Sequence, residues 1–254
     1  MRLLKNLVDA YIVFKMNLLA LRTALVPYVA ISLAIPIGFT YIISLASTQW
    51  SREAELNYII GALTLSLALS TVNGVAQSIA QDKHLGRLRL FSSLPMSPSA
   101  YVAGVTLTHL LSGLVSAAAI LLVGGYLWRI LGDVLKLFPQ ILALMLASCI
   151  ALVGLGAVIG TRSRDLTQAY MYSNAASIAI AVLTPAYYPP TLLPPLLRLA
   201  SLALPTTHAA CLVRYLLEPS TPTPLTPLQH TIALATLIAV YTAIGFAGIK
   251  WVED

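Results

Sequence analysis

Charged residues are scarce in this sequence. Only 9% of its 254 residues are Asp, Glu, Lys or Arg, whereas a soluble globular domain carries roughly a quarter. The mean hydropathy of +0.85 also places the chain in the membrane class. Ten-residue segments of alternating polarity, the mark of a transmembrane β-barrel, are missing as well. The composition therefore predicts an all-α polytopic membrane protein.

Motifs for catalysis are missing too. None of the four histidines precedes Glu, so the HExxH zinc motif is absent, and no GxSxG nucleophile motif occurs. None of the five lysines follows Gly, which excludes a GxxxxGK[ST] phosphate-binding loop. The apolar runs carry no Asp or Glu in their middle, where ion-coupled carriers usually need one. We expect no catalytic residue, metal or cofactor on this chain, so any ATP-driven step needs another subunit.

Long apolar runs dominate what is present. About 20 mostly apolar residues are needed for a helix to cross the hydrocarbon. Six runs qualify, at approximately 24–46, 58–80, 100–127, 137–160, 167–188 and 229–249. We therefore predict six transmembrane helices in a single transmembrane domain, 1–254.

The basic residues orient these helices. With the N-terminus inside, ten Lys and Arg fall on the cytoplasmic side and five outside, in agreement with the positive-inside rule. Trp50, Trp128 and Trp251 all fall at predicted helix ends, where interfacial aromatic residues gather. The formal net charge of +6 could suggest nucleic-acid binding, but its distribution predicts instead a multi-pass cell-membrane protein with both termini cytoplasmic and no nucleic-acid partner. The inner set is Arg2, Lys5, Lys15, Arg22, Lys83, Arg87, Arg89, Arg162, Arg164 and Lys250, and the outer set is Arg52, Arg129, Lys136, Arg198 and Arg214.

Two further segments flank the predicted spans. In residues 1–22 apolar side chains recur every three or four residues with basic residues alongside, which predicts a helix in the inner membrane interface. The alternative is that these residues are the first turns of a long first span. Residues 186–227 contain only short apolar stretches between prolines, too short to cross. They predict short re-entrant or interfacial outer helices.

Two of the predicted spans carry polar stripes. Helical spacing places the polar residues of the second span on one face, and those of the fifth span likewise. Such stripes could line a substrate path or could join packed helices by hydrogen bonds. Gly156 and Gly160, spaced as GxxxG, indicate close helix contact in the fourth span. The stripes are Ser66, Ser70, Asn73 and Gln77, and Tyr170, Ser173, Asn174 and Ser177.

Residues 81–98, "QDKHLGRLRLFSSLPMSP", separate two apolar runs with a short basic segment. Gly86 permits a turn, and residues 87–94 are predicted to form a two-turn helix that Pro95 ends. Leu88, Leu90, Phe91 and Leu94 are expected on one face, opposite Arg89, Ser92 and Ser93. Ser97 is a good N-cap and Pro98 a good first residue for the next helix. The apolar face could dock on a partner protein or dip into lipid.

The stretch "IAQDKHLGRLRLFSSLPMSPSAYVAG" resembles the membrane subunit of type-2 ATP-binding-cassette transporters. The shared features are Gln81, Asp82, Gly86, three leucines (88, 90 and 94) and Pro95. Lys83 and His84 stand where relatives usually carry Glu. "YYPPTLLPPLLRLASLALPTTHAACLVR" also resembles the family's outer segment after the fifth span, with Pro194, Pro195, Pro205 and Arg214 in matching order.

The resemblance implies six spans per subunit, a second permease copy and two cytoplasmic ATP-binding subunits that carry ATP and Mg²⁺. It also implies that residues 87–94 are the coupling helix, which sits in a groove of the ATPase. Export is the usual direction of transport in the family. The alternative is a stand-alone membrane carrier or assembly factor without an ATPase partner. The expected coupling residues are Asp82, Gly86, Arg87, Leu88, Arg89, Leu90, Phe91, Leu94 and Pro95.

Overall fold

The computed structural model describes residues 2–22, 25–46, 51–220 and 223–248. All regular elements in these ranges are helical, which confirms the all-α class. Short turns join most helices, and one π-helical turn (Leu69–Asn73) continues α3 into α4. The helices are α1 (Arg2–Arg22), α2 (Leu25–Ala46), α3 (Arg52–Ala68), α4 (Gly74–His84), α5 (Arg87–Ser93), α6 (Pro98–Leu127), α7 (Leu131–Lys136), α8 (Phe138–Arg162), α9 (Leu166–Leu183), α10 (Pro195–Ser201), α11 (Pro205–Leu217) and α12 (Pro227–Gly248).

Four helices in the described residues are long and apolar enough to cross a membrane. They are Arg52–His84, which joins α3 to α4, then Pro98–Leu127, Phe138–Arg162 and Pro227–Gly245. A fifth is possible if α10 and α11, bent by 92°, together form one broken span. Helices α2 and α9 coincide with the first and fifth predicted spans, and the count of six stays a prediction.

The α3–α4 helix is the axis of the bundle. In its most apolar stretch 89% of the residues are buried, whereas in the most apolar stretch of α12 only 17% are buried. Ile59, Ile60 and Leu63 on α3 are fully buried. The other helices therefore pack around this one, and α12 presents most of its surface outward.

Small residues set the closest helix contacts. A Cβ atom at Gly156 would lie 2.9 Å from the Val72 carbonyl oxygen, and one at Gly160 would lie 2.7 Å from that of Ala76. Both glycines lie on α8, so the GxxxG spacing does mark its contact with the central helix. Without side chains at these positions the two backbones can approach closely.

The local sequence explains where α5 ends and where α6 begins. The Ser97 hydroxyl accepts a 3.2 Å hydrogen bond from the Ala100 N–H, and Pro98 is the first residue of α6. Helix α5 ends at Ser93, one residue earlier than expected, and Leu94 is extended with φ −88° and ψ 155°. A residue that precedes proline disfavours the helical region, which explains the early end.

The position of Trp128 differs from the expectation that it lies at the membrane interface. Its side chain is 1% exposed and packs against Tyr58, with ring centroids 6.0 Å apart. Gly124 makes room for the indole, since a Cβ there would lie 2.7 Å from its Cζ3. Trp128 is thus a core residue and not an interfacial anchor. Trp50, Lys250 and Trp251, which also supported the orientation, lie outside the described residues.

Candidate functional site

A buried carboxylate organises one end of the bundle, which we call the loop end. Asp82, near the end of α4, is 2% exposed. The Tyr101 hydroxyl donates to its Oδ2 at 2.9 Å, and Arg87 Nη1 donates to its Oδ1 at 3.2 Å. Both oxygens are thereby satisfied, as a buried carboxylate requires. Asp82 therefore connects α4, the first turn of α5 and the start of α6.

Gly86 makes the turn between α4 and α5. Its φ of 71° lies in the left-handed region, which residues with a Cβ rarely adopt. The Gly86 N–H donates to the Lys83 carbonyl at 3.1 Å, and the Leu85 N–H donates to that of Gln81 at 2.9 Å. Space is not the constraint, because nothing lies within 4 Å of a Cβ built there. The backbone conformation alone favours glycine.

Phe91 contradicts the face predicted for α5. It is 8% exposed and packs against Tyr101, with ring centroids 5.5 Å apart, in a cluster with Val75 and Ile79 of α4. Leu88 packs partly against the same cluster. Phe91 and Leu88 therefore anchor α5 to its own chain, since α4 and α6 approach the helix from that side. The expectation that Phe91 shares an outward face with Leu90 and Leu94 was wrong.

Three leucines remain exposed around this anchor. Leu85 is 52%, Leu90 59% and Leu94 47% exposed, and we call them the leucine patch. Arg89 beside the patch is exposed as well. Leu85 was missed because it precedes Gly86 in the turn, outside the helix that the periodicity predicted. A rigidly held helix thus presents apolar side chains flanked by a cation.

Further hydrogen bonds brace the loop end. Lys5 Nζ on α1 donates to the Pro95 carbonyl. The Ser97 hydroxyl donates to Asn6 Oδ1 at 3.1 Å. On the other side, Lys83 Nζ donates to the Ser163 carbonyl at 3.1 Å, which reaches the turn between α8 and α9. The sequence could not predict these contacts, because each of them joins two residues that are 80 to 91 positions apart in the chain.

Helix α1 lies along α6 at this end. Ala10 and Val13 are buried, and a Cβ at Gly104 would lie 2.6 Å from the Ala10 carbonyl oxygen. The opposite side of α1 exposes large apolar side chains, among them Leu4 (70%) and Leu7 (61%). This arrangement gives α1 one face for the bundle and one apolar face for its surroundings.

The two polar stripes face each other between the central helix and α9. Asn73 Nδ2 donates to Asn174 Oδ1 at 2.7 Å, and the Ser177 hydroxyl donates to the Ala68 carbonyl at 3.0 Å. These contacts favour the interpretation that the stripe residues join packed helices by hydrogen bonds. Ser66, Ser70, Ser173 and Ser177 are all buried, and a Cβ at Gly113 of α6 would lie 3.4 Å from the Ser70 hydroxyl.

The remaining two stripe residues line a cavity instead. Gln77 and Tyr170, one from each stripe, border a cavity of about 380 Å³ at the loop end, together with Gln81, Leu166 and Thr167. We call this cavity the vestibule. Its lining offers amide and hydroxyl groups but no charged side chain, so it suits hydrogen bonding to uncharged polar groups. Tyr170 is 56% exposed, which leaves one side of the vestibule open.

Comparison with models of protein families matches residues 11–217 to the ABC-2 type transporter family. Comparison with curated proteins finds no match. The matched range contains the loop end, both polar stripes and the α10–α11 bend. Because it covers most of the chain, and because the helices can cross a membrane, we conclude that this protein belongs to the ABC-2 type transporter family, as a membrane-spanning permease subunit.

Proposed function

We propose that this subunit forms the membrane path of an ATP-driven exporter in the cell membrane, coupled through α5 to a separate ATP-binding subunit. Both termini and the loop end then face the cytoplasm, and ATP and Mg²⁺ bind to the partner. The observation that carries the proposal is the exposed leucine patch on α5. This helix is held against α4 and α6 by the buried Phe91 ring and by the hydrogen bonds of Asp82. A movement of the partner against such a helix would be passed to α4 and α6.

Docking on a protein explains the patch better than contact with lipid. A segment that only dips into lipid has no need of a buried carboxylate, three further hydrogen bonds to other helices and turns, and a packed aromatic ring to fix its direction. Burying one leucine side chain contributes about 1.5–3 kcal/mol as an upper figure. Arg89 would make a rim contact, which contributes less and weakens with salt.

A second copy of the chain would complete the path. The vestibule is open on the side of α9, and that helix exposes several large side chains. Burying part of this surface against a second copy would remove apolar surface and enclose the vestibule between two subunits. The uncharged lining favours a substrate whose polar groups form hydrogen bonds there. The exposed side chains are Tyr170 (56%), Met171 (63%), Tyr172 (56%), Ile178 (54%) and Val182 (61%).

The experiment is co-purification with the candidate ATP-binding subunit in mild detergent. The wild-type chain should retain a subunit that hydrolyses ATP, and the double variant Leu90→Ser/Leu94→Ser should lose it. Loss of a few kcal/mol corresponds to roughly a hundredfold weaker binding. The matched control is Leu122→Ser/Val123→Ser on α6, since both residues are similarly exposed (46% and 43%) but lie far from α5. Retention of an active ATPase by the α5 variant at wild-type yield would disprove the coupling role.

A further inference from the structure

Two histidines meet at the end of the bundle opposite α5. His208 Nδ1 and His230 Nδ1 lie 2.8 Å apart, and His208 Nε2 lies 2.9 Å from the Leu202 carbonyl oxygen. Both residues are 1% exposed. The pair joins α11 to α12, and through Leu202 it reaches the bend between α10 and α11.

The hydrogen bonds define where the protons are. A carbonyl oxygen only accepts, so His208 Nε2 carries a proton and donates it to Leu202. In a neutral ring His208 Nδ1 is then an acceptor, and His230 Nδ1 must donate to it. His230 Nε2 is left as an acceptor, buried and without a hydrogen-bond partner. This arrangement requires both imidazoles to be neutral.

One added proton disrupts the pair. Protonation of His208 at Nδ1 would point two N–H groups at each other across 2.8 Å. Protonation of His230 at Nε2 would instead create a buried cation with an N–H group that lacks an acceptor. Both rings also lie in the first turn of their helices, which begin at Pro205 and Pro227. The partial positive charge of a helix N-terminus disfavours a cation there.

No carboxylate in the described residues is bonded to either ring to offset such a charge. Arg214 is bonded to Asn57 and to two backbone carbonyls, and Arg198 to the Thr191 and Leu193 carbonyls. Tyr241 donates to the Ala203 carbonyl, beside Leu202. The titratable or charged groups on the helices packed around the pair are Arg198, Cys211, Arg214, Tyr215, Tyr241, Cys149, Arg52, Glu53, Glu55, Tyr58 and, in the last turn of α8, Arg162.

The other contacts that hold α11 do not titrate near neutral pH. The Thr184 and Thr206 hydroxyls lie 2.6 Å apart, and Arg214 Nη2 donates to Asn57 Oδ1 at 2.6 Å. Hydroxyl, amide and guanidinium groups keep their protonation from pH 5 to 8, whereas an exposed imidazole takes up a proton near pH 6.5. The histidine pair is therefore the acid-sensitive link among these three.

We propose that His208 and His230 form a proton-sensitive latch, which holds the α10–α11 bend against α12 at neutral pH and releases it in acid. The direction of the pH effect follows from the number of protons that each state binds. The released state binds more protons than the latched state, so release becomes more favourable as pH falls below about 6.5. Each proton taken up shifts the equilibrium about tenfold per pH unit. The inference is independent of the ATPase partner proposed above.

The test is the accessibility of a buried cysteine at the bend. Ser201, the last residue of α10, is 1% exposed. In the full chain with Cys149→Ala and Cys211→Ala, Ser201→Cys should react slowly with a thiol reagent at pH 7.5. Its rate is divided by that of the exposed control Ser220→Cys, which removes the pH dependence of the thiol itself. We expect the ratio to be flat from pH 8 to 7 and to rise about tenfold from pH 6 to 5.

Histidine variants test whether the pH dependence of this ratio comes from His208 and His230. In His208→Gln/His230→Gln the amides can still hydrogen bond but do not titrate, so the ratio should become independent of pH. His84→Gln, at an exposed histidine of the loop end, should keep the tenfold rise. A wild-type ratio that does not change between pH 7.5 and 5 would overturn the latch, and that result does not depend on the variants folding. A rise that persists in the double variant would overturn it too.

Discussion

The Tyr101 hydroxyl and the Asp82 carboxylate form a 2.9 Å hydrogen bond between two helices that each border α5. Tyr101 is 1% and Asp82 2% exposed, so the bond is shielded from water. The phenol ring also packs against Phe91. One residue of α6 thus supports both the polar and the apolar anchor of α5, and the direction in which the leucine patch points depends on it.

Tyr101→Phe tests the polar anchor alone, because the ring and its contact with Phe91 remain. The buried Asp82 Oδ2 loses its donor, and we expect the free energy of unfolding to fall by about 1–3 kcal/mol. Thermal unfolding in mild detergent measures the change. Tyr126→Phe is the matched control on the same helix, since Tyr126 is 75% exposed, and it should be neutral. Equal stability of the two variants would contradict the role of this bond.

Phe91 and Leu90 are neighbours with opposite expected effects. Phe91→Ala removes a buried ring and should lower the free energy of unfolding by about 3–5 kcal/mol. Leu90→Ala should change it by no more than about 0.5 kcal/mol, because the side chain is 59% exposed. Leu90→Ala should nevertheless bind the proposed ATP-binding subunit more weakly. Denaturant unfolding and co-purification give the two readouts, and a stability loss at Leu90 equal to that at Phe91 would refute the orientation of α5.

Gly86→Ala should destabilise the turn before α5. Alanine in the left-handed region costs about 1–2 kcal/mol, although space for its methyl group is free. Gly132→Ala is the control with equally free space, but in α7, where alanine is favoured over glycine by about 0.5–1 kcal/mol. The two variants should therefore shift the melting temperature in opposite directions. A stabilising effect at Gly86 would show that the turn is not left-handed in solution.

Gly156→Ala should loosen the contact between α8 and the central helix. The new methyl group would lie 2.9 Å from the Val72 carbonyl oxygen and 3.0 Å from the Val75 Cβ. Such overpacking costs about 1–3 kcal/mol. Gly38→Ala on α2, where nothing lies within 4 Å, should be neutral or stabilising. Thermal unfolding in detergent compares them, and a neutral Gly156→Ala would mean that the helices pack less closely.

The proposed orientation predicts which exposed sites an impermeant thiol reagent reaches in intact cells. Ser51→Cys should react from outside, whereas Arg164→Cys should react only after the membrane is opened. Both positions are exposed in the structure, so burial cannot explain a difference. Ser163 is unsuitable as the inner site because it is 2% exposed. Labelling of Arg164→Cys in intact cells would reverse the orientation.

The sequence alone was sufficient for those features that local chemistry and composition control. The long continuous apolar runs specify helices in a membrane, because in lipid the backbone is satisfied only in helices or closed barrels, and barrel strands would alternate in polarity. Ser97 and Pro98 specify the start of α6, and Gly86 the turn before α5, since capping and backbone conformation are properties of a few adjacent residues. The resemblance of residues 81–98 to the type-2 transporters was confirmed by the family match over 11–217.

Only the tertiary structure decided which apolar side chains are anchors and which are free. At 100° per residue the apolar positions 88, 90, 91 and 94 fall within an arc of about 160°, so their periodicity groups them on one side of the predicted helix but could not show which of them the chain's own helices would cover. The positions of α4 and α6 selected Phe91. In the same way, only packing joined Asp82 to Tyr101, Asn73 to Asn174 and His208 to His230. A hydrogen bond between distant residues depends on where whole helices come to rest, and no local pattern in the sequence contains that information.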